Sequence, residues 1–441
     1  MLYILRFSDI ILPYLYRGGF SMNIPFKKAN ILLPKKADMT KWAVIACDQY
    51  TSEPKYWKEV ENIVGDAPST LKITLPEIYL EQENVSDRIK KINEEMDRLL
   101  NSSFFETLNN SLIYLERTCA DGKIRKGIVG MVDLEDYSYE KGSQTLIRAT
   151  EGTVLERIPP RVKVRENAKL ELPHVMLLID DNKKKIIEGL TDKMTTNDVV
   201  YDFDLMQNGG HIKGYKISDD LANEVFAGLE ELANKDNFET KYNVKDKGVL
   251  LFSVGDGNHS LATAKACYEN LKKVLPKEEY ENHPARYALV EIVNLHSEAL
   301  EFEPIHRVVF QVEPEKLISE FEKYYEVSRT PGEGQKIEYV YKDKRETVYI
   351  KNPKSNLAVG SLQIFIDEYI KNNGGKVDYI HGDDVTIELG KQPENIGFLL
   401  PRMDKNDLFK TVILDGALPR KTFSMGHSYD KRYYLEARKI K

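Results

Sequence analysis

Short unbroken hydrophobic runs alternate along this chain with stretches whose apolar residues recur at helical spacing. Trp42–Cys47 (WAVIAC), Leu172–Ile179, Val249–Val254 and Tyr287–Leu295 are too short for helices and too uniformly apolar for a surface strand. They predict strands buried on both faces. Leu112–Arg117 and Ile124–Leu134 flank Ala120-Asp121-Gly122-Lys123, and Asp-Gly between two strand-like runs predicts a hairpin. Glu53–Val64 after Ser52, Val85–Leu100 and Ile217–Leu232 each carry an apolar stripe among charges, which predicts amphipathic helices. Leu261–Leu275 follows the run Val249–Val254 across a glycine loop, with Leu261, Ala264, Tyr268, Leu271 and Leu275 on one face. Arg307–Val312, Ile337–Tyr341, Thr347–Ile350 and Gly397–Leu400 read as further strands, and Leu362–Lys371 as a helix. Asn208-Gly209-Gly210 and Asn373-Gly374-Gly375 predict turns.

This alternation predicts a mixed architecture, α/β grading into α+β. A large mixed-sheet domain carries the strand–glycine loop–helix unit, and a smaller C-terminal α+β part follows. The composition shift at Thr330–Gln335 (TPGEGQ) puts the main domain at 22–328 and the smaller one at 336–441. A length of 441 residues agrees with more than one core. Residues 1–21 are apolar but broken by Arg6, Asp9, Pro13 and Arg17, unlike a signal peptide. They are expected to be a non-native extension, with Met22 as the natural start.

Composition changes this picture little. The chain is 41% hydrophobic and 30% charged, as a globular protein is. A formal net charge of −7 argues against a nucleic-acid or membrane-surface partner, because a polyanion is repelled overall. The three cysteines, Cys47, Cys119 and Cys267, fit no metal or disulfide spacing and read as reduced thiols of a cytoplasmic protein. Oligomeric state is not legible.

The candidate chemistry lies at Gly255-Asp256-Gly257-Asn258-His259-Ser260. A loop between a buried strand and a helix start presents free backbone N–H groups and the positive end of the helix dipole. Gly255 and Gly257 allow positive φ and close approach of an anion, and Asn258 or Ser260 can cap the helix. That is the design of a phosphate site. The spacing matches neither a Walker A loop nor a dinucleotide fingerprint. Asp256 suits Mg²⁺ binding or proton abstraction, and His259 suits phosphate contact or proton transfer.

The stretch VGDGNHSLATAKA resembles the D-G-H-H-R signature, with its alanine-rich helix, of the domain-of-unknown-function 1015 family. Arg148-Ala149-Thr150-Glu151-Gly152-Thr153 with trailing Arg157 and Arg165 resembles the family's R-P-H-E-x-T segment. Pro304-Ile305-His306-Arg307 resembles P-T-H-R, and Leu418-Pro419-Arg420-Lys421-Thr422 resembles M-P-x-K-S-T. The chain departs from the pattern at Asn258 and Ser260, where the signature has His and Arg, and at Ala149-Thr150, where it has Pro-His. The signature is similar to the phosphate loop of ParB/sulfiredoxin-type proteins, a group that includes a free-serine kinase.

The resemblance implies phosphoryl transfer or phosphate removal on a small hydroxy amino acid, with serine and phosphoserine as the expected pair. Such chemistry needs cations around the phosphate. Arg148, Arg165, Arg307, His306 and Lys421 are the candidates on family motifs, with Arg157 and Arg161 beside them. Glu151 and Asp256 are the candidate bases, or Mg²⁺ ligands if ATP or ADP takes part. The rival reading is a nucleotide-binding regulatory protein of ParB-like type without turnover. His381-Gly382-Asp383-Asp384 reads as a polar turn, not a metal site.

Overall fold

The computed structural model describes residues 24–172, 174–426 and 428–441. The expected extension before Met22, and His427, lie outside them. The main element is a 10-stranded mixed sheet. Its strands run Val199–Asp204, His211–Lys216, Ile113–Thr118, Ile124–Asp133, Tyr287–Asn294, Met176–Ile179, Phe252–Asp256, Ile147–Ala149 and Tyr137–Ser138, with Phe26–Lys27 beside Ile124–Asp133. The hairpin at Asp121-Gly122 forms as expected, in register from Thr118 against Ile124.

Phe252–Asp256 is parallel to Ile147–Ala149 and antiparallel to Met176–Ile179. The strand Met176–Ile179 shows why its sequence is apolar throughout. Met176 and Leu178 join one core, while Leu177 and Ile179 join another on the opposite face. The first core is shared with the smaller sheet, and the second is covered by the helices Asp219–Ala233 and Asn258–Lys272.

The smaller, seven-stranded sheet takes its strands from Phe302–Phe310 onward. The change of sheet therefore comes before the composition shift at Thr330–Gln335, because Phe302–Phe310 pairs on both edges with later strands, Lys376–His381 and Asn395–Leu399. The last residues return to the first layer: Tyr433–Tyr434 pairs with Val44–Ile45, and Arg438–Lys439 with Leu170–Glu171. The run Trp42–Cys47, expected as one strand, is a short helix Met39–Trp42 followed by the two-residue strand Val44–Ile45. Asp38 accepts from the Lys41 amide and starts that helix, which the apolar run alone does not reveal. No helix among the described residues is long and apolar enough to cross a membrane.

Candidate functional site

The glycine loop owes its shape to two backbone features. Opposite it the register slips, so that Met176 faces Asp256 while Leu177 faces Val254, and Gly255 is the residue left over. Such a bulge bends the strand end and re-aims the side chain that follows. At Gly255 a Cβ would sit 2.8 Å from Leu178 Cγ. Gly257 is the helix N-cap, with φ +81°, and a Cβ there would lie 3.0 Å from Val175 Cα. Only glycine makes this turn without strain.

Asn258 and Ser260, the expected caps, are residues of the helix Asn258–Lys272 itself, and their side chains turn elsewhere. Asn258 Nδ2 donates to Thr150 Oγ1 at 3.2 Å, and Ser260 Oγ lies 3.2 Å from His174 Nε2. No side chain caps the helix. Among the described residues the amides of Asn258, His259 and Ser260 therefore meet no acceptor. An uncapped, glycine-turned helix start is a surface that favours an anion.

The four motifs read from the sequence are tied together around this turn. Thr150 Oγ1 donates to Val254 O at 2.7 Å, and Leu418 N donates to Thr150 O at 2.6 Å, which lays the terminal motif beside Glu151. Arg307 Nη1 donates to Lys421 O and Nη2 to Arg420 O, both at 2.8 Å. The two departures Thr150 and Asn258 thus touch each other.

Glu151 is half-buried, and among the described residues its carboxylate meets no hydrogen-bond donor. Burial raises its pKa; Lys421, Lys431 and Arg307 oppose that, Asp256 reinforces it, and the net shift is upward. Asp256 accepts from the Gly257 amide at 2.9 Å and lies 3.1 Å from Lys431 Nζ. Lys421 is exposed, and among the described residues its side chain makes no hydrogen bond. His259 is pushed down to about 4 by burial and by Arg161, Arg157 and Lys421, with Asp48 opposing. It is therefore neutral near pH 7, and its Nε2, like Asn258 Oδ1 and Thr153 Oγ1, is buried without a partner. Buried polar atoms rarely go unpaired, so the two on the loop itself, among the described residues, mark a place built to meet a ligand or solvent.

Behind the loop lies a second network that the sequence did not reveal. His174 Nδ1 is 2.9 Å from Tyr434 Oη, Tyr434 donates to Cys47 Sγ at 2.9 Å, and His174 Nε2 is 3.3 Å from Asp48 Oδ2. Burial disfavours charge on both partners, yet their mutual attraction raises His174 and holds Asp48 well below the carboxylate range. The pair is ionic. Burial also pushes the Cys47 thiol up, so it stays protonated and unreactive.

Four of the expected phosphate-binding residues are engaged elsewhere. Arg148 Nε donates to Thr145 O, and its Nη2 to Gly248 O and Val249 O; only the buried Nη1 has no partner. Arg307 gives its remaining donors to Gln363 Oε1 and Ile305 O. Arg165 pairs with buried Glu171 at 2.6 Å. His306 accepts from Leu400 N and sits 2.8 Å from Asp383 Oδ1. The guanidinium forks of Arg148 and Arg307 satisfy main-chain carbonyls, which demand the same donors that a phosphate would. Arg161 is likewise paired with Glu77, while Arg157 is exposed. Lysines 421 and 431 are the cations that face the carboxylates. His381-Gly382-Asp383-Asp384 leads into the helix Asp383–Gly390. Among the described residues no group of three His, Cys, Asp or Glu is placed to hold a metal ion.

The sequence profile of the family described as "Protein of unknown function (DUF1015)" matches residues 24–369. No curated protein matches the chain. Similar solved structures include a free serine kinase in complex with AMP, at 10% identity and TM-score 0.35, covering 70% of this chain and 91% of that one. A conserved hypothetical protein from Pyrococcus furiosus is similar at 10% identity and TM-score 0.33, covering 69% and 92%. C-terminally truncated SbnI from Staphylococcus aureus is similar at 10% identity and TM-score 0.35, covering 68% and 82%.

Proposed function

This chain belongs to the DUF1015 family of proteins of unknown function, and we propose that it transfers phosphate to or from the hydroxyl of a small metabolite. The observation that carries this reading is the unspent Glu151 carboxylate, shifted upward and facing Asp256, Lys421 and Lys431 at an uncapped helix start. The open amides of Asn258, His259 and Ser260 hold the phosphoryl oxygens, and Lys421 and Lys431 neutralise their charge. Glu151 takes the proton of the attacking hydroxyl as its oxygen bonds to phosphorus and the donor's P–O bond breaks. Neutral His259 offers Nε2 to a phosphate oxygen. Arg148 and Arg307 position this set through the main chain.

If ATP or ADP is the other partner, Asp256 would hold its Mg²⁺ while Glu151 serves as the base. One carboxylate would be enough of a protein ligand for such an ion. Mg²⁺ supplies charge neutralisation there. Serine and phosphoserine are the pair that the motif resemblance implies. Purified protein is incubated with serine plus ATP or ADP and Mg²⁺, and separately with phosphoserine, and followed by phosphorus NMR. Transfer or release of phosphate that Glu151→Gln abolishes in a folded protein supports the reading. Nucleotide binding without turnover overturns it in favour of a regulatory nucleotide-binding protein, and a fully active Glu151→Gln overturns the role of Glu151 as the base.

A further inference from the structure

A cavity of about 160 Å³ lies against the first two turns of the loop helix, lined there by Ser260, Leu261, Thr263 and Ala264. Its far wall is hydrocarbon: Leu75, Ile92, Met96, Ala168 and Leu172. Its polar end is formed by His174, Tyr434, Arg161 and Glu77. Those groups are already committed, Arg161 to Glu77 and His174 to Tyr434 and Asp48. The cavity therefore offers a ligand apolar contact but few free hydrogen bonds. The cavity is partly open, and seven separate segments of the chain line it. A cavity of roughly 150 Å³ walled by Leu, Ile and Phe stays dry and accepts benzene. About six carbons fit here.

Ser260 joins the two regions. Its amide belongs to the uncapped turn, and its side chain lines the cavity. Arg161, at the polar end, also acts electrostatically on His259. We propose that this cavity holds an apolar arm of about six carbons on the phosphorylated ligand of the neighbouring loop. The inference rests on the phosphate-site reading and narrows it. The ligand is an amphipathic phosphate ester, and serine, which has no such arm, leaves the cavity unfilled.

Titration calorimetry of the whole protein with inorganic phosphate and with ethyl, butyl, hexyl and octyl phosphate tests this. Each buried methylene is worth about fourfold in affinity, so binding should tighten along the series and level off at about six carbons. Ala264→Leu fills part of the cavity without touching the loop. It should leave inorganic phosphate binding unchanged and move the plateau to about three carbons; Ala168→Leu, from the opposite wall, should do the same. A flat series with phosphate still bound overturns the apolar arm alone. Failure of phosphate and every ester to bind overturns the phosphate site and this inference together. A rise that continues past six carbons, or survives both substitutions unchanged, overturns the cavity as its cause.

Discussion

His259 links the geometry of the loop to a stability measurement. Its ordinary pKa of 6.5 falls to about 4 in the folded chain. Burial is the main cause, with Arg161, Arg157 and Lys421 adding to it and Asp48 opposing. The folded state therefore refuses a proton that the unfolded chain accepts. A depressed histidine contributes stability that is complete above pH 6.5 and is lost as pH falls towards 4. A drop of that size corresponds to at most ~3.4 kcal/mol at 1.36 kcal/mol per pH unit. The ring is partly open to solvent, which screens the cations, so ~1–2 kcal/mol is the expected part. Urea unfolding of the wild type and of His259→Gln, in chloride buffers from pH 7.5 to 4, isolates it, because every other titrating group is common to both. The wild type should lose that much more than the variant as pH falls. Saturating phosphate should shrink the difference, since a bound anion rewards the imidazolium. Parallel curves for the two proteins would refute the burial of this ring among cations. A pH difference that phosphate leaves untouched would refute its contact with the anion.

The Glu151 carboxylate is shifted up, so the acidic limb of the pH–rate profile should lie above the ordinary value near 4.5. It should move down in Asp256→Asn and up in Lys421→Met, because the first removes a like charge and the second an opposite one. Arg307→Lys leaves carbonyls of Ile305, Arg420 and Lys421 without their donors and should cost ~2–3 kcal/mol of stability. Turnover should fall with it, as the Lys421 turn loosens. Gly257→Ala forces a positive φ and a contact with Val175, and should cost ~1–3 kcal/mol and weaken phosphate binding, read by thermal unfolding and calorimetry. Thr150→Val and Asn258→Ala remove two ends of one hydrogen bond, so their double-mutant cycle should show ~0.5–1.5 kcal/mol of coupling; strict additivity would mean the contact carries nothing.

What was legible in the chain follows from the range of each interaction. The strand, loop and helix at 252–272 are local, because an apolar run, two glycines and a 3.6-residue stripe each act over a few residues. The motif order also pointed to Glu151, Asp256 and Lys421, which do gather around one turn. Partners from distant segments were not legible. His174 meets Tyr434 across 260 positions, and Lys431 reaches Asp256 only because the tail returns to pair with Val44–Ile45. Nor does residue type separate a guanidinium that grips phosphate from one that ties carbonyls, since both uses ask for the same planar fork. Arg148 and Arg307 tie main-chain carbonyls in this fold. The same logic explains the departures from the family pattern. With Thr at 150 and Asn at 258, the short side chains bond to each other, leaving the first-turn amides uncovered. Ser260 reaches His174 at 3.2 Å, and both residues line the cavity. A loop that has given up an arginine keeps its anion-binding backbone, takes its positive charge from lysines 421 and 431, and opens onto a hydrocarbon cavity. That combination suits a phosphate ester with an apolar arm better than a fully polar one.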